Sequence, residues 1–348
     1  MRKRYSVLGM TVLCAMTIGY DVMNSSAQSP TRFKDTYQHW AESSIQTAVQ
    51  KKYVDGYEDG SFKPDVPISR AEFIKMLAMA MGEKVNKIEG DGWFQPYVDR
   101  LKSKGIIPAE FPERYNEPLQ RFEMSILSVR SVDKTLKGSM VDSTKMGLIH
   151  GVSRTDLDVY GTSTRAQAIT IIERILSAKN GEKLQVDKYA ASAAEIAATG
   201  SNVGTMLGLK AREVGTEWPY GTGVTMKLNQ LIIADPSDVD DPYMKLIDMD
   251  SWYRETDKNK NIVVLAYFTV TVSESGVNKY RELHPYQLLT LLDTTNQLLM
   301  NTEQLKRWII FNKPQVQMGF VAFAGKKDLA SKTIEFDILG KHTVIANK

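Results

Sequence analysis

Apolar positions recur at helical spacing along the first half of the chain and alternate along the second. Ile45, Ala48 and Val49 share one helical face, and Phe73, Leu77, Ala80 and Met81 share another, so both segments are expected to be amphipathic helices. Beyond residue 203 the period changes. Ile262, Val264, Ala266, Phe268, Val270 and Val272 alternate along one face, and Ile334, Phe336 and Ile338 alternate against Thr333, Glu335 and Asp337. Met226–Ile233, Met244–Met249, Leu288–Leu292 and Met318–Ala324 are further strand candidates. The change of period predicts an α+β multidomain chain: a mainly α N-terminal part, then an all-β, sandwich-like part over 203–348 with roughly seven short strands. Between them, residues 179–202 are rich in alanine and serine around Ala190-Ala191-Ser192-Ala193-Ala194 and read as a linker or a weak helix.

The helical half repeats. Ile68-Ser69-Arg70-Ala71-Glu72, Leu119-Gln120-Arg121-Phe122-Glu123 and Ser163-Thr164-Arg165-Ala166-Gln167 each open an apolar-periodic segment. Ser69 with Glu72, and Thr164 with Gln167, are capping boxes; Ile68 and Phe73 stand at staple positions, and Gly82 can end the first of these helices. Gln120 is the weaker cap of the three. Trp40 and Trp93 open the helices upstream, and Asp55-Gly56 and Asp59-Gly60 supply turn chemistry before Phe62 and Pro64. A cation at the first helical position opposes the helix dipole by roughly 0.3–1 kcal/mol, so folding alone does not ask for Arg70, Arg121 or Arg165. Two readings account for them. With free backbone N–H groups at each helix start, the guanidinium fork makes a carboxylate site; alternatively, each arginine pairs with a neighbouring repeat.

These residues resemble the S-layer homology family. Phe33-Lys34-Asp35, His39-Trp40-Ala41, Tyr53 through Pro64 and Ile68 through Phe73 follow one complete family motif in order. Trp93 to Val98 and Gly105-Ile106-Ile107 are similar to the start of a second motif, and Gly147 to Gly151 with Thr164 to Ala168 to the later part of a third. The resemblance implies repeats at 32–82, 90–131 and 132–178, arranged as a three-repeat spindle around a central helical bundle with grooves between repeats. It further implies non-covalent binding of an anionic, pyruvylated secondary cell-wall polysaccharide. On that reading Arg70, Arg121 and Arg165 hold carboxylates, Asp35 accepts from a hydroxyl, and Trp40 and Trp93 either stack on sugars or pack inward. The second repeat lacks the glycine turn, and Thr135 stands where a third tryptophan would fall. The grooves are therefore expected to be unequal, the one using Asp35 and Arg70 being the most intact.

Composition narrows the partners. Arg2-Lys3-Arg4, an apolar stretch to about Tyr20 and Ser25-Ser26-Ala27 read as a signal peptide over residues 1–27, so a secreted, cell-surface protein is expected. Removing it takes away Arg2, Lys3, Arg4 and Asp21, leaving 41 basic and 40 acidic residues of the chain's 44 and 41. That balance argues against nucleic acid, and no later segment has the roughly 20 apolar residues of a membrane span. The single cysteine, Cys14, lies in the leader, so no disulfide or thiolate chemistry is expected. His39, His150, His284 and His342 have no metal-ligand spacing, and no catalytic motif is found; no cofactor and no catalytic residue are expected. The acidic run Asp235 to Asp241 reads as a solvated loop rather than a calcium loop. An anchor displaying a β domain to a protein or glycan partner is the leading reading. A wall-attached hydrolase and a lattice-forming S-layer subunit are the alternatives.

Overall fold

The computed structural model describes residues 33–247, 259, 261–279, 282–283, 289–292, 294–298, 309–310, 312–327 and 333–348. The leader reading, 1–27, lies outside them, as does His284. Six helices build the first part: α1 (Glu42–Gln50), α2 (Arg70–Ala80), α3 (Gln95–Ser103), α4 (Arg121–Val132), α5 (Met140–Lys145) and α6 (Arg165–Lys179). The three arginine motifs start α2, α4 and α6 at the arginine itself. At α2, Ser69 N–H donates to Glu72 Oε2 at 2.9 Å and Glu72 N–H returns to Ser69 Oγ at 3.2 Å. At α6, Thr164 N–H reaches Gln167 Oε1 at 3.0 Å and Gln167 N–H reaches Thr164 Oγ1 at 3.3 Å. Gln120 N–H donates to Glu123 Oε2 at 2.9 Å. Gly82 leaves α2 at φ +73°, a conformation that favours glycine.

Just ahead of these helices the chain closes a ring. Ile68 N–H donates to Ser163 O at 2.9 Å, Ser163 N–H to Leu119 O at 2.8 Å, and Leu119 N–H to Ile68 O at 2.8 Å. The ring fixes three extended segments side by side and sends α2, α4 and α6 away from it. Ile45, Phe62, Phe73, Leu77, Leu101, Leu127, Ile169 and Ile172 then fill one fully buried core drawn from all three repeats. At roughly 1.5–3 kcal/mol for each large side chain removed from water, this shared core is what holds the repeats together, since no disulfide is available.

Of the two readings of 179–202, a linker or a helix, residues 188–199 take the second. They form a packed helix, α7 (Lys188–Thr199), which buries Tyr189, Ala190, Ala191 and Ala194 and ends at Gly200 with φ +75°. The alanines that suggested a spacer are what let α7 lie close to α5, where larger side chains would hold it off. Asp187 caps its first turn through Tyr189 and Ala190 N–H, at 3.2 and 3.0 Å. Glu195 on α7 then caps the next helix, α8 (Val203–Leu207), through Gly204 and Thr205 N–H at 2.9 and 2.6 Å, and pairs with Lys145 of α5 at 3.2 Å.

The second part is built of antiparallel strands. One sheet has the order β1 (Lys210–Ala211), β11 (Lys341–Asn347), β10 (Ile334–Ile338), β6 (Leu289–Leu291). The other has β2 (Glu217–Tyr220), β3 (Val224–Ala234), β4 (Asn261–Val272), β9 (Gln315–Lys326), β7 (Thr294–Leu298). β5 (Glu282–Leu283) and β8 (Ile309–Ile310) pair separately, and a short helix, α9 (Glu274–Lys279), follows β4. Residues of both large sheets share one core in which Phe323 and Phe336 meet edge-on, ring centres 5.4 Å apart. β4 alternates only in its second half. In its first half Val263 and Leu265 are buried too, because Tyr189 of α7, Tyr243, Met244 and Ile247 cover the outer face there. The strand expected at Met244–Met249 is not formed over its described part: Pro242–Leu246 is a 3-10 turn, with Asp241 capping Tyr243 N–H at 2.8 Å and Pro242 at the first position.

Candidate functional site

The free helix-start N–H groups expected beside each arginine are absent. Arg70 and Ala71 N–H donate to Glu117 and Tyr115 carbonyls at 3.1 and 2.7 Å. Arg121 and Phe122 N–H donate to Gly161 and Val159, both at 3.0 Å, and Arg165 and Ala166 N–H to Val66 and Pro64 at 3.0 and 2.9 Å. In each case the loop of a neighbouring repeat supplies the carbonyls, so the helix dipole is capped by protein and no anion site exists there.

The arginine side chains also cross between repeats, always in the same direction. Arg70 donates through Nε and Nη2 to Glu123 Oε1 at 3.0 and 2.7 Å, and through Nη1 to Arg114 O at 3.1 Å. Arg121 donates to Leu157 O at 2.8 Å and His150 O at 2.7 Å. Arg165 donates to Phe62 O at 3.1 Å and Asp55 O at 3.4 Å, lies 3.6 Å from Glu72 Oε1, and sits over the Tyr57 and Phe62 rings. All three are buried. The turn each arginine holds belongs to the next repeat, and the third closes onto the first.

Two clefts open beside these crossings, built on one plan. The first, of about 330 Å³, is lined by Arg165, by Glu72, Lys75 and Met79 of α2, by the Tyr53–Tyr57 turn, by Lys87 and by Trp93. The second, of about 340 Å³, is lined by Arg121, by Gln167, Thr170 and Arg174 of α6, by the Ile149–Val152 turn and by Trp40. Each therefore takes a helix and a turn from one repeat, a tryptophan from the repeat after it and an arginine from the repeat before it. Trp40 is 63% exposed at its cleft, whereas Trp93 lines the other cleft while half-buried against the core, with Lys75 Nζ 5.4 Å from its ring centre. At the third equivalent position Glu123 takes two bonds from Arg70, Ile126 stands where Lys75 and Thr170 stand, and no tryptophan occurs.

Neither Asp35 nor Arg70 is among the residues lining the two clefts described above. Asp35 accepts from Phe62 and Lys63 N–H at 2.8 and 2.7 Å and shapes the loop leading to α2. Burial works to raise its pKa, but those backbone bonds outweigh it and hold the carboxyl below its ordinary value. His150, which sequence spacing gives no metal-binding role, lines the second cleft. Its Nε2 lies 3.1 Å from Gln185 O and its Nδ1 3.3 Å from Arg174 Nη2, so the pairing fits a neutral ring with the proton on Nε2. Burial, then the charge of Arg174, lowers its pKa. Burial likewise lowers the pKa of Arg121 and of Arg174, yet both stay cationic at any physiological pH. Arg174 stands nine residues after Arg165 on α6, as Arg130 does after Arg121 on α4; laying the three helices over one another at their arginines would have shown it.

The acidic run is occupied. Asp235 pairs with Lys327 at 3.1 Å, Asp238 with Lys188 at 3.1 Å and the Tyr189 hydroxyl at 2.5 Å, Asp240 with Arg154 at 2.8 Å, and Asp241 accepts from Asp235 and Tyr243 N–H, both at 2.8 Å. Its role is to tie the third repeat, α7 and the residue just after β9 to one loop. Among the described residues no group of three or more His, Cys, Asp or Glu side chains is placed to hold a metal ion, and no helix is long and apolar enough to cross a membrane.

Comparison with known proteins gives a family match within the first repeat motif. The family model described as S-layer homology domain matches residues 32–74. A cellulosome-anchoring protein of Acetivibrio thermocellus is 31% identical over 150 residues, covering 38% of this chain and 33% of that protein. Exoglucanase XynX of Acetivibrio thermocellus is 24% identical over 42% of this chain and 16% of its own length, and S-layer protein sap of Bacillus anthracis 28% over 29% of this chain and 13% of its own. The chain thus spans a third or less of these curated relatives. With the complete first motif, the repeated inter-repeat arginines and the family match together, the chain carries an S-layer homology domain.

Proposed function

We propose that this protein is an anchor of the bacterial cell surface, held non-covalently to the wall by an anionic, pyruvylated secondary polysaccharide in the clefts between its repeats. The three repeats, 32–82, 90–131 and 132–178, act as one spindle around α2, α4 and α6, and the β-rich part, two sheets face to face as a sandwich, is displayed to a protein or glycan partner. The observation that carries the reading is the twofold recurrence of one cleft plan: an arginine, a tryptophan face and polar side chains of a helix, each from a different repeat. A carboxylate meets the guanidinium edge and a sugar ring meets the indole, the pairing of interactions a ketal-bearing saccharide requires. Trp40, Trp93, Arg121 and Arg165 are the binding residues on this account, while Arg70 and Asp35 build the fold. A relative named for anchoring and another named for the S-layer support the surface location. Others are named as hydrolases, but they match over at most 19% of their own length. The reading is tested by calorimetric titration of the purified protein with wall polysaccharide before and after mild acid removal of its ketals. Binding is expected only before; equal heats in both titrations would remove the carboxylate from the account.

A further inference from the structure

Where α2, α3, α4 and α6 finish, at the far end of the bundle from the ring of extended segments, a pocket of about 330 Å³ opens. Lys104, Arg130, Lys134 and Lys179 line it, and Glu83 is the only acid among its lining residues. That carboxylate is already taken, lying 2.6 Å from Arg100 Nε and 3.3 Å from Lys104 Nζ. Other acids close in sequence turn elsewhere. Asp133 accepts from the N–H and hydroxyl of Thr135 at 2.9 and 2.6 Å, Glu113 accepts from Lys102 at 3.0 Å, and Glu182 follows α6 without lining the pocket. Arg130 donates to the carbonyls of Gly105 and Leu136 at 2.6 and 3.1 Å, and Lys179 to that of Ser131 at 3.0 Å. Neutral carbonyls thus fix both heads without cancelling their charge. Lys134 has no hydrogen bond or ion pair among the described residues.

Cations that complement helix ends are the plainer explanation, and a count of charge shows how far it reaches. Each helix end carries about half a negative charge, so the four ends offset about two cations and Glu83 a third. Of the charges on Arg100, Lys104, Arg130, Lys134 and Lys179, about two remain. The neighbouring crossing shows the compensation that is missing here. Lys51 follows Trp40 as Lys104 follows Trp93; Lys51 meets Glu173 of α6 at 2.6 Å, whereas α2 holds Ala78 at the matching place. Independently of the polysaccharide reading, we infer that this pocket binds a phosphate group, free or as a monoester, whose two negative charges match the surplus. Lysine heads are compact point charges with three donors each, suited to converge on one phosphate, and Arg130 is the fixed cation beside them. A carboxylate or a phosphodiester, with one charge, leaves half of the surplus unmatched.

The test is titration calorimetry of the purified protein at low salt and about pH 8, where a phosphate monoester carries both charges. The probes are methyl phosphate, inorganic phosphate and dimethyl phosphate, the last a monoanion of similar size. One methyl phosphate is expected per chain, bound about tenfold more tightly than dimethyl phosphate, with inorganic phosphate within about twofold of it. A preference of about tenfold for inorganic phosphate would assign the free ion to the same pocket. Lys134→Ala removes a cation that holds no part of the fold together, so it is expected to weaken methyl phosphate about fivefold or more while the thermal midpoint stays unchanged. The double variant Trp40→Ala, Trp93→Ala is expected to bind methyl phosphate as the natural sequence does, which separates this pocket from the clefts. Methyl and dimethyl phosphate bound equally, no binding of methyl or inorganic phosphate, Lys134→Ala indistinguishable from the natural sequence, or methyl phosphate lost with the tryptophans would each overturn the inference. The anchoring reading has its own test, and none of these results decides it.

Discussion

Arg70 is open to a simple experiment, because the structure sets it in a buried ion pair with Glu123. Its partner Glu123 is 1% exposed, and one oxygen of that carboxylate takes both Arg70 contacts. Arg70→Met leaves the carboxylate buried with only the Gln120 N–H for company and strips the Arg114 carbonyl of its donor. Orphaning one member of a buried pair costs about 3–5 kcal/mol. With a urea slope of about 2 kcal/mol per molar, the unfolding midpoint of the helical part should fall by about 2 M. The pair Arg70→Met, Glu123→Met removes both charges and should recover most of the loss, giving a coupling energy of about 2 kcal/mol or more. Arg121→Met strands two carbonyls but no acid, so its cost should be smaller, about 1–3 kcal/mol. Denaturation followed by far-ultraviolet circular dichroism reads all of this. A cost below about 1 kcal/mol for Arg70→Met, or a double variant no better than the single, would show that the inter-repeat pair does not hold the first two repeats together.

Three further outcomes follow from local contacts. A methyl group at Gly56 would lie 2.0 Å from Phe33 Cε1, so Gly56→Ala should displace Phe33 and cost about 1–3 kcal/mol, read as a lower thermal midpoint. Asp238 is held down to about 2 by the Tyr189 hydroxyl and Lys188. A lowered carboxylate pKa stabilises above the ordinary value of 3.8 and is lost as pH falls toward 2, so Asp238→Asn should flatten stability between pH 4 and 2, by about 1–2 kcal/mol after solvent screening. His150 has the opposite chemistry and the same sign. Its lowered pKa means the unfolded chain takes up a proton first, so stability should decline as pH falls below about 6.5, a slope that His150→Gln should remove when thermal midpoints are compared from pH 8 to 5.

What the sequence carried plainly was local. Ser69 with Glu72 and Thr164 with Gln167 each place a helix start to the residue, because capping is decided within four positions. The strands at 226–233, 318–324 and 334–338 are found because alternation is also local. That each arginine pairs with a neighbouring repeat is one of the two readings the sequence offers, but the partners are not legible. Arg70 meets Glu123 and Arg165 meets Phe62 at separations of 53 and 103 residues, and nothing in either neighbourhood says which repeat faces which. The same blindness hid Arg174, whose partners, the Leu148 carbonyl and the His150 ring, lie 26 and 24 residues away on the turn of its own repeat. Alanines in α7 misled in a different way: small side chains suit a spacer and a tightly packed helix equally, and only the presence of α5 beside them decides.

The central claim is that the clefts hold the protein to wall polysaccharide. The most direct test is co-sedimentation of the purified protein with wall sacculi that retain their secondary polysaccharide, against the same sacculi stripped of it, using the natural sequence and a Trp40→Ala, Trp93→Ala double variant. The account predicts that the natural protein sediments with intact sacculi alone and that the double variant, still folded, stays in solution. Equal sedimentation with stripped sacculi, or a double variant that sediments as well as the natural protein, would contradict it.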